Sequence, residues 1–339
     1  SENAIMVNPK NFWSFVKSKS STCSKLPLNM IYDNMQVCGA EKIVECFATH
    51  FSSVFTSNKN INFDNINFHV DQPVDLNNVV IESSSVLSAL ESLENKNCSG
   101  PDGLPQSFFK TCSKSLADPL CRLYNRSTNS GKFPTIWKSA FIISIFKTGL
   151  KLEIKNCRPT SLLCTPSKIF ESIVAAQMFE KFKTVITPCQ HGFFSKRSTL
   201  TNLFTFVNYI FDDFENNLDV HAVYTDFRAF DTVNHFILLK KLYLYGLRDP
   251  LLSWLKTYLL DRYQCVHLNG VSSNEYLVTS GVPQGSVIGP LLFNIFINDI
   301  ASNITSDTLL YADDLKLFKS IRTLTDTVVL QSDIIKIEE

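Results

Sequence analysis

The sequence predicts an α+β fold in which helices gather around an antiparallel sheet. Three observations carry that prediction. Apolar residues recur at helical spacing over 41–55 (Ile43, Val44, Phe47, Phe51, Phe55) and over 198–217. Short β-rich runs such as Ala140 to Phe146 and Val220 to Asp226 stand apart from them. Turn signals interrupt paired apolar runs, Asn269-Gly270 in one place and an acidic pair after Leu309-Leu310-Tyr311 in another.

In chain order, residues 1–40 are polar and mixed apart from an apolar group at Phe12, Trp13, Phe15 and Val16. The helical pattern of 41–55 leads into an Asn-rich stretch, 57–78, that reads as a linker. A short amphipathic helix near 84–95 ends before the turn signal Ser99-Gly100-Pro101-Asp102-Gly103, and another helix spans about 106–127. The run 140–146 turns at Lys147-Thr148-Gly149 and returns towards Arg158-Pro159. Thr165-Pro166 opens a helix to about Val185, since proline suits a first helical turn. The helix at 198–217 carries Leu200, Leu203, Phe204, Val207, Ile210, Phe211 and Phe214, and a strand at 220–226 ends on Asp226. Asp249-Pro250 caps a helix to about Leu260. Tyr263 to Leu268 and Tyr276 to Thr279 read as strands, Gly285 to about Ile300 as a buried helix, and the apolar runs around Asp313 as a closing hairpin.

Composition bounds the function classes. The chain has 339 residues, is 45% hydrophobic and 12% aromatic, and holds 27 Phe, which predicts a folded protein of two or three subdomains. Formal net charge is +0, so any nucleic-acid site must be a local patch. Ten cysteines without a Cys-x-x-Cys pair suggest neither a zinc site nor a disulfide framework and make a reducing compartment the default, with nucleus or cytoplasm left open. The longest apolar stretches fall short of a membrane span, so no membrane partner is expected. The chain starts without Met or a signal peptide, and both ends read as cut.

The chemistry-bearing feature is Tyr311-Ala312-Asp313-Asp314, two neighbouring carboxylates between apolar runs. Fixing both needs a compensating charge, and a divalent cation with oxygen ligands is the usual one. Taken alone the tetrapeptide is better read as an acidic turn on a surface hairpin. Asp226, at a strand end, is a second acid that with Asp313 could hold two metal ions about 3.5–4 Å apart, the arrangement that clamps an in-line phosphoryl transfer. Between them lies Ser280-Gly281-Val282-Pro283-Gln284-Gly285-Ser286-Val287-Ile288-Gly289-Pro290, a glycine-flanked loop whose backbone a ligand can approach closely.

With these blocks in order, the chain resembles the reverse transcriptase domain of non-LTR (LINE-type, jockey-like) retrotransposons. The matching segments are Asp226-Phe227-Arg228-Ala229-Phe230-Asp231-Thr232-Val233, the 281–290 block and Tyr311-Ala312-Asp313-Asp314. Ser99 to Pro105, Phe146 to Gly149, Asn156 to Leu163, Gln190-His191-Gly192-Phe193, Lys196 to Thr199 and Tyr258 to Arg262 also match, so the resemblance runs from about residue 8 to the end. It implies a right-hand polymerase with fingers and an antiparallel palm sheet, the thumb missing because the chain stops 25 residues after Asp314. The implied division is 1–78 as an N-terminal helical and linker region, 79–215 as fingers and fingers–palm, and 216–339 as palm.

The resemblance implies an RNA-directed DNA polymerase that copies an RNA template from a DNA primer 3′ hydroxyl with dNTPs and two Mg²⁺ (or Mn²⁺) ions. By position Asp226, Asp313 and Asp314 would be catalytic and hold the metals. Lys147 and Arg158 would contact the incoming triphosphate, a task their point charge and fork suit. Phe230, Gly281, Pro283, Gln284, Gly285 and Tyr311 would line the nucleotide and template side. Residues 138–168 hold six basic side chains against one acid, Glu153, which nominates Lys138, Lys151 and Lys155, with Arg197, as nucleic-acid contacts. A solvated basic face is the plainer account of that patch. Lys196 and Arg262 are weaker candidates.

The chain departs from the family in one place. Arg228 stands where the family has Ser-Lys, so one residue is missing, and Phe230 lies four residues beyond Asp226 instead of five. A one-residue slip in a strand turns side chains to the wrong face, so impaired catalysis is expected unless a loop absorbs the loss. The alternatives are therefore a decayed remnant that at most binds nucleic acid and, more distantly, an RNA-dependent RNA polymerase.

Overall fold

The structure, a computed structural model, describes residues 27, 29–56, 73–227 and 230–338, with Asp226 described in its backbone alone. The apolar group at Phe12 to Val16 and the stretch 57–72 lie outside the described residues.

The first elements are a hairpin, β1 (Asn29–Tyr32) and β2 (Met35–Cys38), and helix α1 (Ala40–Ser53). Asp33 and Asn34 both hold positive φ, the backbone of a type I′ turn. Nothing in the mixed 1–40 composition announces this hairpin. Residues 73–78 are no linker: the Val74 amide donates to the Tyr245 carbonyl at 2.7 Å, and Leu76 is buried beside Leu247.

Helix α2 (Ser83–Glu91) precedes α3 (Gln106–Thr111) and α4 (Ser113–Ser130). The single helix expected over 106–127 is thus two, broken at Cys112, and α4 ends where Gly131 takes the left-handed conformation that closes a helix. Strands β3 (Ser139–Phe146) and β4 (Cys157–Leu162) pair antiparallel, with Ile145 opposite Arg158. Helix α5 (Thr165–Phe182) starts at the expected Thr165-Pro166, and α6 (Thr199–Glu215) starts behind a capping box formed by Ser198 and Thr201. Strand β5 (Asp219–Asp226) leads to α7 (His235–Leu244), whose cap Asn234 accepts from the Phe236 and Ile237 amides.

Helix α8 (Leu251–Leu259) is followed by β6 (Arg262–Leu268), β7 (Val271–Ser272) and β8 (Tyr276–Val278). The Asn269-Gly270 turn joins β6 to the short β7, and β8 returns to pair with the start of β6. Helix α9 (Gly289–Phe296) is half the length expected, because residues 285–288 form a turn in which the Ser286 amide donates to Pro283 O. The chain closes with β9 (Asp307–Tyr311), β10 (Asp314–Ile321) and α10 (Leu324–Glu338).

The strands make two principal sheets. In the larger, β4 pairs with β3, β3 runs parallel to β6, and β7 and β8 lie antiparallel on β6. The smaller is antiparallel throughout, in the order β5–β10–β9. The main core gathers apolar faces of α2, α4, α5, α7, α8 and α9. At its centre Tyr124 stacks on Phe170 at 4.4 Å, and Trp254 donates its indole N–H to Ser127. A second core seats α1 against Ile142 and Val266 of the larger sheet. Burying large aromatics in this way supplies area that local propensity cannot, and it fixes both sheets to one body.

Candidate active site

The smaller sheet brings the expected acids to one end. Register pairs β5 with β10 without a break from Asp219 opposite Ile321 to Asp226 opposite Asp314, and Asp314 in turn faces Tyr311 on β9. Directly opposed residues of antiparallel strands have Cα atoms about 4.5–5.5 Å apart. Ala312 and Asp313 form the two-residue loop of the hairpin, and the Phe227 amide donates to the Asp313 carbonyl at 3.3 Å. Asp313 is half-buried and Asp314 exposed. A cleft of about 540 Å³ opens beside Asp314, lined by Thr199, Asn202, Tyr224, Tyr311 and Lys316 among others.

Carboxylate oxygens are the donors a hard divalent cation takes, so the acids at this corner fit Mg²⁺ or Mn²⁺ by chemistry. Among the described residues no three His, Cys, Asp or Glu side chains gather as a metal site. The Asp226 carboxylate is not among them.

The loop between the strands has an unusual residue at its first position. Ala312 holds φ +56°, which two-residue hairpin turns give to glycine, asparagine or aspartate. The segment 189–192 lies alongside it. His191 N donates to Leu310 O at 2.8 Å and Leu310 N to Cys189 O at 2.9 Å, so these residues extend the sheet past β9. A Cβ at Gly192 would fall on the Ala312 nitrogen, so no other residue lets the two backbones lie this close. Gln190 Oε1 accepts from Gly192 N at 2.7 Å and from Ala312 N at 3.0 Å, while its Nε2 donates to Ala312 O at 3.4 Å. Asn202 on α6 donates to Leu310 O and Asn294 on α9 to Gly192 O. None of these roles was assigned from sequence. The available signal was a loop residue other than glycine where glycine fits best, which requires an outside brace.

The missing residue falls on 228–229, outside the described residues. Strand register is intact up to Asp226, and Phe230 packs against Phe293 beyond the undescribed residues. Phe230 stacks on Phe293 at 4.3 Å and meets Phe193 edge-on at 5.7 Å. Asp231, at the fifth position beyond Asp226, accepts from Gln284 Nε2 at 2.7 Å; burial pushes its carboxyl pKa up and the Gln284 bond opposes that.

The 281–285 loop is built against this segment. Gly281 N donates to Val233 O at 2.7 Å, Val282 N to Phe230 O at 2.9 Å, and the ring Nε2 of His235 lies 2.7 Å from Gly281 O. A Cβ at Gly281 would come within 2.8 Å of Asp231 and Phe230 backbone atoms. Pro283 is buried, and Gln284 O accepts from Ser161 N at 2.7 Å, tying the loop to β4 of the larger sheet. Gly285 stays exposed. The side chain of Gln284 donates to Asp231 from this loop.

The basic candidates separate into two groups. Lys147 and Arg158 are exposed at the joined ends of β3 and β4, where Lys147 N donates to Asn156 O; residues two apart on a strand share a face, so Lys147 lies on the side of Ile145 and its partner Arg158. Lys151 and Lys155 are exposed in the connection, with Lys155 3.4 Å from Glu153. Lys138 is not part of an exposed patch: it is buried, its ammonium donates to Leu260 O at 3.1 Å, and burial lowers its pKa. Arg197 is also committed inward. It donates to Gln190 O at 2.6 Å and Thr187 O at 3.2 Å and lies over the Phe194 ring. Arg262, 1% exposed, donates to Tyr258 O and likewise faces no solvent.

Comparison with known proteins identifies the family. The family described as "Reverse transcriptase (RNA-dependent DNA polymerase)" matches residues 145–332, which take in β4, the 281–285 loop and the acid corner. The chain is 29% identical over 302 residues to the probable RNA-directed DNA polymerase from transposon BS of Drosophila melanogaster, covering 83% of this chain and 33% of that protein. It is 31% identical over 262 residues to the RNA-directed DNA polymerase from mobile element jockey of the same species, covering 73% and 28%. A third relative, the probable RNA-directed DNA polymerase from transposon X-element, is 29% identical over 76% of this chain and 29% of its own length. The chain thus spans about a third of the length of the curated relatives it matches. With more than half of its residues inside the family match, the chain belongs to the reverse transcriptase family.

Proposed function

We propose that this chain is the polymerase domain of a jockey-like non-LTR retrotransposon and extends a DNA primer along an RNA template with dNTPs. In this reading the smaller sheet is the palm and the larger sheet belongs to the fingers. Asp226, Asp313 and Asp314 would hold two Mg²⁺ or Mn²⁺ ions, which when bound lower the pKa of the attacking hydroxyl and stabilise the charge of the leaving pyrophosphate. Lys147 and Arg158, exposed and on one face, supply cations for the triphosphate. Tyr311, on the same rung as Asp314, would border the primer terminus. Phe230, packed by Phe193 and Phe293, would form the wall beside the sugar, and Gly281, Pro283, Gln284 and Gly285 the floor that joins fingers to palm. Lys151 and Lys155 remain candidates for template backbone contacts.

The observation that carries the reading is the single rung of Asp226, Asp314 and Tyr311 with Asp313 in the adjoining turn. The test is primer extension on an RNA template with Mg²⁺ or Mn²⁺. Wild-type chain should extend the primer and Asp313→Asn should lose at least a hundredfold in rate. Template–primer binding without any extension by the wild type would leave nucleic-acid binding as the function.

A further inference from the structure

Ala312 has φ +56°, a region that costs a residue with a Cβ free energy and persists where surroundings over-determine it. The surroundings include the Gly192 backbone and the rung between Tyr311 and Asp314, and within them one side chain reaches both peptide groups of Ala312. Gln190 accepts the Ala312 N–H at 3.0 Å and approaches the Ala312 carbonyl with its own N–H at 3.4 Å. The first peptide group lies before the Ala312 Cα and the second after it, so a single planar amide restrains both of its backbone dihedrals. The carbonyl of Ala312 is bonded to the nitrogen of Asp313, so the same grip sets the direction in which Asp313 leaves the turn.

Gln190 is itself fixed. It is 1% exposed, its carbonyl accepts from Arg197, and its side-chain oxygen also takes the Gly192 amide at 2.7 Å. A buried amide has no water to turn to, so these bonds are its means of satisfaction. An isosteric apolar side chain fills the same space and supplies neither acceptor nor donor.

We propose that Gln190 is a positioning residue for the acid corner: by clamping the Ala312 backbone it sets where Asp313 offers its carboxylate to a divalent cation. This rests on the reading of Asp313 as a metal ligand. It assigns to Gln190 no contact with substrate.

The test uses the full 339-residue chain and four proteins: wild type, Asp313→Asn, Gln190→Met and Gln190→Glu. Circular dichroism and template–primer affinity check folding. Mn²⁺ binding, read from the electron paramagnetic resonance signal of free Mn²⁺, needs no turnover, and single-nucleotide incorporation separates rate from dNTP affinity. Gln190→Met is expected to fold, to bind template–primer within about twofold of wild type, to bind Mn²⁺ at least fivefold more weakly, and to incorporate at least tenfold more slowly with dNTP affinity within about threefold. Gln190→Glu keeps an oxygen for both N–H donors and should fall between. It decides the matter alone if Gln190→Met does not fold.

A folded Gln190→Met that binds Mn²⁺ and incorporates like wild type, while Asp313→Asn loses both, overturns the role of Gln190 and leaves the metal reading standing. If Asp313→Asn binds Mn²⁺ as wild type does, the metal reading fails and the proposal falls with it. Weakened Mn²⁺ binding in Gln190→Met without extension by any protein supports the clamp and overturns the polymerase activity instead.

Discussion

Asp231 shows how one displaced residue can be reused. It stands at the fifth position beyond Asp226, where the family resemblance puts an aromatic, yet its carboxylate is buried against Gln284 and its backbone carbonyl accepts from Ser280 Oγ at 2.7 Å. Burial disfavours its charged form, so its pKa in the fold lies above the value near 3.9 of an unfolded chain. An acid whose folded pKa is raised holds its proton longer in the fold. Its contribution to stability is full below about pH 4 and is lost as pH rises through the folded value. Asp231→Asn keeps an acceptor for Gln284 and removes that loss. Denaturant midpoints should therefore show the variant gaining on wild type between pH 4 and pH 8, and an unchanged difference across that range would show that the carboxyl is not desolvated. The neighbouring His235 works with the opposite sign, since burial lowers its pKa and acidification through about 6.5 favours the unfolded state. The 281–285 loop thus sits between an acid that resists losing its proton and an imidazole that resists gaining one.

Among the elements, α6 is apolar on two opposite sides. Its inner side buries Phe206 against the smaller sheet, 5.0 Å from Phe318 and beneath Lys316, while Leu200, Phe204, Phe211 and Phe214 on the other side are all more than half exposed. The sequence pattern at 198–217 marks the helix and cannot tell these sides apart, because both are apolar at helical spacing. Substitution separates them. Phe206→Ala should cost about 3–5 kcal/mol in a denaturation experiment, as buried aromatic truncations do. Phe211→Ser should stay within about 0.5 kcal/mol of wild type, as exposed substitutions do, and should raise the concentration at which the chain self-associates. Equal costs at both positions would mean that the outer side is covered in solution. Helix α9 teaches the converse lesson. Its apolar run predicts a start at Gly285, but Val287 N donates to the distant Glu171 and Gly289 N to the nearby Ser286 Oγ, so these two partners hold residues 285–288 in a turn.

Across the whole molecule, one buried acid ties helix, loop and sheet together. Glu171 on α5 is fully buried, accepts from Ser167 Oγ and from Val287 N, both at 3.0 Å, and carries a pKa raised by burial and held back by the charge of Arg262. Arg262, at the start of β6, is itself 1% exposed and lies over the Tyr258 ring at 4.9 Å. The two groups interact electrostatically without a direct ion pair among the described residues, and a buried charge that loses its compensating partner costs stability. Glu171→Gln and Arg262→Met should each destabilise strongly, and the double variant should be more stable than the sum of the two predicts. Additive losses in that cycle would show that the two charges are not coupled. The coupling matters for the site because α5 and β6 support the two ends of the segment that presents Gln284.

Much of this was legible from the residues in order. Composition and periodicity suffice for the α+β class, for most helices and for the closing hairpin, because apolar spacing and turn residues act locally. The blocks around Asp226, Gly281 and Asp313 suffice to place the chain in its family, because those residue types recur together in one order. What only the tertiary structure decided is which side chains are free to act. Lys138 and Arg197 count as cations in a sequence, and burial converts them into braces for Leu260 and Gln190. The lost residue beside Asp226 leaves a slipped strand and an absorbing loop both open in the sequence, and long-range pairing with β10 holds β5 in register as far as Asp226. Gln190 belongs to a block that matches the family, but its role appears only when the fold lays it along Ala312, 122 positions away. Local chemistry is written residue by residue, but desolvation and partner choice depend on contacts between distant segments, and those exist only once the chain has closed on itself.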